Sequence, residues 1–517
     1  MDRSTTTQHL AHRATATSSR EPLPEPSREP LPEPSREPLR ERAAEVLWAN
    51  WTGTSTVPSR ALYPHQWSWD SAFIAIGLRH LSPLRAQLEL ETLLAAQWGD
   101  GRVPHIVFND AVPLGAYFPS PDFWRSTTAG RTAGAPADVQ TSGIVQPPVH
   151  ALAAWLVHRA DPGLSRARAF LARLRPRLAA WHRYLLESRD AGGAGLAAVL
   201  HPWEQGMDNS PCWDGPLSRV DPVEPGAYRR ADLAHGAPED RPTDADYGRY
   251  VRLAADYRDR GYADVTGPEA TGPGASAGAF RVEDPAFNAL LIASEHALAL
   301  IEAELGGRAA AARSYEHRAR ARTLTRTLVA RLWDPGRELF LCRDLRSGEL
   351  IGERGVTGLI PLALPALPPG VAAALVRTAR GPHFGLGGTA RLVPSHDLTA
   401  AAFDPRRYWR GPAWFNTNWL VAKGLRLHGE RALADGLRAA MLDAADTSGF
   451  AEYVHPYTGE GCGARGFGWT AALTLDLLYA GRDGLFEGAE GEPGGAPEEE
   501  FADESAEHSA EEGWGHE

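Results

Sequence analysis

Cysteine is scarce in this sequence. Cys212, Cys342 and Cys462 are the only three among 517 residues. None forms a CxxC pair or a zinc-ligand spacing, which argues against a disulfide framework and against a structural metal. Lysine is rarer still. Lys423 is the only one, and arginine supplies the other positive side chains, which reads as compositional bias and not as mechanism. The N-terminal MDRSTTTQHLAHRATATSSR lacks the apolar core of a signal peptide. No apolar run looks long enough to span a bilayer. The expectation is a soluble, cytoplasmic protein with no membrane partner. The net charge of −12 argues against a nucleic-acid partner, because phosphate binding needs basic surface. Runs of β-branched residues are nearly absent, so strands should be few.

What is present is a chain 43% hydrophobic, enough for a large core. Its two ends differ from the middle. REPLPEPS occurs at Arg20 and Arg28, and REPL begins again at Arg36. Proline at this density blocks helix and sheet ladders, so residues 1–40 are expected to be a disordered tail. Residues 486–517 are acidic and Gly-rich, the composition of a second solvated tail. Between them, residues 41–485 alternate two textures. Ala/Leu/Arg stretches such as LRAQLELETLLAAQW, VHALAAWLVHRA, FNALLIASEHALALIEAEL and RALADGLRAAMLDAA carry helical periodicity, and about a dozen such candidates exist. The connections alternate between short ones and long ones rich in Trp, Tyr, Pro, Gly, Asp and His. This pattern predicts an all-α fold, helical hairpins in a ring as an (α/α)6 barrel, with the long loops forming a funnel at one end. A solenoid of stacked hairpins would instead show a fixed period of about 20–50 residues, and none is present.

Five loops carry the polar and aromatic side chains: YPHQWSWDSAF from Tyr63, DGRVPHIVFN from Asp100, HPWEQGMDNSPCWD from His201, FDPRRYWRGPAWFNTNWL from Phe403 and AEYVHPYTGEGCGARGFGWT from Ala451. A single tryptophan is most simply a core residue. Tryptophan beside Asp, Arg and Gly in a turn fits a sugar better: the ring stacks on the pyranose C–H face and the polar groups bond its hydroxyls. Glycoside hydrolysis uses two carboxyl groups, one protonating the leaving oxygen and one activating water or attacking carbon. Asp208 is the acid candidate, because Gly206 permits a tight backbone and Trp203 and Trp213 would keep it dry. Glu452 is the base candidate, set among aromatics and glycines. Composition alone does not rank these two above Glu204, Asp214, Asp70 or Glu460.

The stretches QWSWDSAF, DGRVPHIVFN, SGIVQPPVHA, EQGMDNSPCWD, RPTDADY, YWRGPAWFNTNWL, EYVHPYTGEG and GWTAAL resemble glycoside hydrolase family 63, in the family's order, from about residue 42 to 482. With no large N-terminal β-domain, the chain is similar to the compact bacterial branch that includes glucosylglycerate and mannosylglycerate hydrolases. The resemblance implies that Asp208 is the general acid and Glu452 the general base of an inverting reaction, standing about 6.5–9.5 Å apart with water between them. It implies that Asp70 holds sugar hydroxyls and that Tyr63, Trp67, Trp69, Gln146, Trp203, Gly206, Tyr408, Trp409 and Gly411 line the pocket. In the same way Arg241 and Tyr247, in RPTDADY, match the pair that grips a glycerate carboxylate. An Arg that ties its loop to backbone carbonyls is the plainer reading of Arg241.

One departure stands out: Arg465–Gly466 replaces the family's Asp–Gln, whose amide can reach the aglycone. The insert at residues 118–137 should reshape the funnel mouth. The expected partner is a small-molecule glycoside, most simply glucosylglycerate or mannosylglycerate, with no metal or organic cofactor. A homo-oligomer is compatible with the sequence. The competing readings are an α-glucosidase on an oligo- or disaccharide (kojibiose, nigerose or trehalose type), a phosphorolytic enzyme and a carbohydrate-binding barrel without catalysis. No Ser/His/Lys cluster for a phosphate cradle is evident, and both acids are present.

Overall fold

The computed structural model describes residues 37–234, 238–264, 278–479 and 485–486. Residues 1–36 and 487–517 lie outside it, and with them most of the two expected tails. Glu37–Arg40, assigned to the first tail, instead form the start of helix α1 (Glu37–Ala49), with Leu39 buried. Pro38 is tolerated there because the first turn of a helix needs no intrahelical donor at that position.

Twelve long helices follow in order among the described residues: α1, α2 (Ser68–Leu78), α3 (Pro83–Ala95), α4 (His150–Ala160), α5 (Phe170–Ser188), α6 (Asp244–Asp259), α7 (Pro285–Leu305), α8 (Arg308–Leu332), α9 (Pro369–Arg380), α10 (Phe415–Leu427), α11 (Arg431–Ser448) and α12 (Gly468–Tyr479). A 3-10 segment, Val356–Ala363, precedes α9. Six elements pack in a closed ring, α2–α4–α7–(356–363)–α10–α12 and back to α2. Each has an outer partner: α3, α5, α8, α9, α11 and, for α12, the first helix α1. This is the expected (α/α)6 barrel, closed by its two ends meeting. Helix α6 is extra and lies in a long connection.

The inner and outer layers differ in sequence as their surroundings demand. Every residue of α2 is buried, as is every residue of 356–363. A helix surrounded by protein is apolar all round and loses the one-sided stripe. Helix α7 shows the consequence. It is long and apolar enough to cross a membrane, yet 89% of that window is buried inside the barrel. The expectation that no apolar run reaches that length is corrected here, since an inner-wall helix has the same pattern as a membrane span. The one inner element that is not α-helical contains Pro361, and a Cβ on Gly358 would fall 2.2 Å from the Phe340 carbonyl oxygen. Chain crosses chain too closely there for a side chain.

Strands are two residues long and antiparallel. Gln66–Trp67 pairs with Ile106–Val107, Ala413–Trp414 with Tyr453–Val454, and Ala198–Val199 with Val282–Glu283. They act as clasps between the long loops. All three cysteines are buried and free.

Candidate active site

The clasped loops enclose one aromatic cavity with about 100 Å³ of water-sized space. Tyr63, Trp67, Trp69, Asp70, Gln146, Trp203, Gly206, Asp208, Arg241, Tyr247, Tyr408, Trp409 and Glu452 all line it. Of the residues that the family resemblance placed in the pocket, Gly411 alone does not. It packs behind the wall, where its N–H donates to Ser395 Oγ at 2.9 Å and a Cβ would lie 2.2 Å from the Asp404 carbonyl oxygen. Tyr247 sits in the first turn of α6 and not in a loop, because Thr243 caps that helix by accepting from Asp246 N–H.

The four carboxylates that composition left level with Asp208 and Glu452 now separate. Glu204 is fully buried in a fork with Arg189, at 2.7 and 2.8 Å, and accepts from Leu200 N–H. Asp214 pairs with Arg410 and Glu460 with Arg406, both with solvent-exposed carboxylates outside the cavity. Asp70 is inside. Its burial, with the Glu452 charge adding, pushes its carboxyl well above the usual range.

The stretch 201–214 is held from every side. His201 Nδ1 accepts from Trp203 N–H, Gln205 Oε1 from Met207 N–H, and Tyr250 Oη from Asn209 N–H. Trp213 Nε1 donates to the Met207 carbonyl at 2.8 Å. Asn209 adopts a left-handed φ of 69° and Gly206 one of 81°, so the chain turns sharply on both sides of Asp208. A Cβ on Gly206 would meet Trp69 Cζ2 at 2.5 Å. Glycine is needed there for its φ and for the contact. Burial pushes the Asp208 carboxyl up to about 7; Arg241 opposes the shift and the Glu452 charge adds to it. Such a group still holds its proton near neutrality.

Glu452 is buried but well supplied with donors. Tyr63 Oη donates to Oε1 at 2.9 Å, Ala464 N–H to Oε2 at 3.0 Å, and Arg241 Nη2 stands 3.5 Å from Oε2. The Arg241 guanidinium lies 4.8 Å over the Tyr408 ring, and its Nη2 is buried without a hydrogen bond. Tyr247 Oη donates to the Phe118 carbonyl at 3.2 Å.

The remaining walls are aromatic. Trp409 and Trp414 stack at 3.9 Å, and Trp69 meets Trp469 edge-on at 5.3 Å. Gln146 Oε1 fixes Trp69 by accepting its N–H at 3.2 Å. The insert reaches the site through Phe118 and its neighbour Tyr117, both in the lining. Sequence reading also missed His105, Asp232, Trp414, Phe467 and Trp469. His105, Trp414, Phe467 and Trp469 lie in loops already singled out, but Asp232 sits in RRADLAHG, which gives no signal. Burial holds the His105 imidazole down to about 3, so it is neutral near pH 7 and offers one N–H but no acidic imidazolium proton. Arg465 is exposed and donates to the Ser448 carbonyl, away from the cavity. Among the described residues no group of three or more His, Cys, Asp and Glu is arranged to hold a metal.

An aromatic pocket lined by several carboxyl groups, at the loop end of an (α/α)6 barrel, is the arrangement of a glycoside hydrolase. The chain matches the mannosylglycerate hydrolase MGH1-like glycoside hydrolase domain over residues 63–470 and belongs to that family, within glycoside hydrolase family 63. The mannosylglycerate hydrolase of Rubrobacter radiotolerans is 40% identical over 85% of this chain and 96% of its own. The glucosylglycerate hydrolase of Mycolicibacterium hassiacum is 38% identical over 84% of this chain and 97% of its own. The crystal structure of the Thermus thermophilus mannosylglycerate hydrolase with Tris and D-glycerate superposes with a TM-score of 0.75, at 41% identity, covering 85% of this chain and 99% of that one.

Proposed function

We propose that the protein is an exo-acting, inverting α-glycosidase whose substrate is a glycosylated glycerate, glucosylglycerate or mannosylglycerate. The observation that carries this reading is one cavity shared by Asp208, Glu452 and Arg241, with Arg241 Nη2 buried and without a hydrogen bond. A guanidinium so placed suits a carboxylate on the ligand. The names of the relatives, two different glycosylglycerates, support the same aglycone and leave two sugars.

In this mechanism the protonated Asp208 gives its proton to the glycosidic oxygen as the bond to the anomeric carbon breaks. Glu452 takes a proton from a water whose oxygen bonds to that carbon from the opposite face, so the anomeric configuration inverts. Asp70 accepts hydroxyls of the sugar, and the Trp69 and Trp409 rings face it. Arg241 and Tyr247 hold the glycerate. The products are the free hexose and glycerate.

The exposed Arg465, in place of an aglycone amide, favours a second reading, a different small acceptor on the same sugar. Incubation with glucosylglycerate, mannosylglycerate, kojibiose, nigerose and trehalose, followed by proton NMR, tests both. The expected result is a β-hexose released first from a glycosylglycerate. Release of the α-anomer, or turnover of the disaccharides alone, would overturn the proposal.

A further inference from the structure

We propose that Asp232 is a specificity residue that accepts a hydrogen bond from a hydroxyl of the aglycone. The inference rests on the reaction and the acid and base proposed above.

Asp232 lines the cavity and is held as a ligand-reading group would be. Arg230 Nε donates to Oδ1 at 2.9 Å and Nη2 to Oδ2 at 2.7 Å. Arg230 is itself fixed, 4.3 Å over the Tyr247 ring and donating to Asp244 Oδ1 and the Pro242 carbonyl. A fork uses one lone pair on each carboxylate oxygen and leaves the other for a donor. Arg230, shared with Asp244, offsets part of the charge of Asp232 and so lessens its repulsion of an anionic aglycone gripped by Arg241.

Its neighbours place Asp232 on the leaving-group side. Arg230, which holds both Asp232 oxygens, lies 4.3 Å over the ring of Tyr247, the residue proposed above to hold the glycerate. Asp232 therefore stands beside the aglycone and not beside the sugar. A carboxylate there selects an aglycone with a free hydroxyl, because one without it leaves a desolvated acceptor unpaired.

The test compares wild type, Asp232→Ala and Asp232→Asn on three substrates. They are the glycosylglycerate, the glycosyl-lactate in which hydrogen replaces the aglycone hydroxyl, and the α-glycosyl fluoride, which has no aglycone. Wild type should favour the glycerate by about 30-fold in kcat/KM, and the Ala variant should reduce that ratio to within about threefold. The near-isosteric Asn variant should fall between, and fluoride hydrolysis should be unchanged in all three. A ratio unaltered by either variant overturns the proposal. So does a parallel loss on the fluoride, which would make Asp232 structural. If wild type hydrolyses the fluoride but neither glycoside, the substrate reading fails by itself. The same hydroxyl-for-hydrogen comparison on glycosylglycerol and glycosyl-propanediol then decides the role of Asp232.

Discussion

Replacing Gly206 with alanine puts one methyl group against the wall of the sugar site. The added Cβ would stand 2.5 Å from Trp69 Cζ2 and 2.7 Å from Cη2, where carbon atoms rest at about 3.5–4.0 Å. One partner must retreat by roughly 1 Å. Trp69 has nowhere to go: its backbone N–H is held by Gln146, and its ring is boxed by Phe73, Trp409 and Trp469. The acid loop must therefore move, taking Asp208 with it. Alanine at a φ of +81° adds about 1–2 kcal/mol of backbone strain. A displacement of ~1 Å at a reacting group lowers turnover by about 100-fold. The assay is kcat on a glycosylglycerate beside kcat on the α-glycosyl fluoride, whose departure needs no proton. G206A should lose about 100-fold on the first and much less on the second, with a lower Tm. A variant within twofold of wild type on the glycerate glycoside would refute the argument that this glycine aims the acid.

Three further outcomes are expected. Tyr63→Phe keeps the ring against Trp67 but removes the 2.9 Å donor to Glu452, and kcat/KM should fall by about 10–100-fold on every substrate, the fluoride included. Arg241→Met should raise KM for glycosylglycerate at least about tenfold more than for the uncharged glycosylglycerol; equal effects on both would remove the carboxylate from its role. The third concerns pH. The folded Asp208 carboxyl lies at about 7 against an ordinary 3.8, so stability tied to its protonated form is complete below the lower value and lost as pH rises through 7. Glycoside turnover should fall over the same rise. Asp208→Asn should be inactive on glycosides yet have a higher Tm than wild type at pH 8, with the gain vanishing toward pH 4 by calorimetry.

Outer helices and loops were legible in the sequence, and so were the inner helices α4 and α7 with their long Ala/Leu runs, but the inner helices α2 and α10 were not. Helices α3, α5, α8 and α11 each bury one face, and the periodicity of that face appears in the residue order. Helices α2 and α10 are buried all round. Their first turns fall within WSWDSAF and WFNTNWL, so they read as functional loops. They are both, since the wall of the barrel begins where the sugar pocket ends. Asp208 and Glu452 could be singled out because their neighbours are unlike those of a polar helix face. Asp232 could not, because its place depends on how Arg230 folds back over Tyr247. Gly411 was placed in the pocket by the family resemblance, although its role here is to let chain pass chain.

Six acidic side chains in similar sequence surroundings meet different partners because the fold buries and pairs each differently. Glu204 has a buried guanidinium on both oxygens, which cancels its charge and leaves nothing to react. Glu452 has a phenol, one backbone N–H and an arginine at longer range, and it lines the cavity. Asp208 is enclosed with Arg241 as the main charge opposing its burial. The fold thus gives two carboxyl groups of one pocket the different surroundings that the proposed acid and base require. The same dependence of both on Arg241 implies that a ligand carboxylate drawing that arginine away acts on acid and base together.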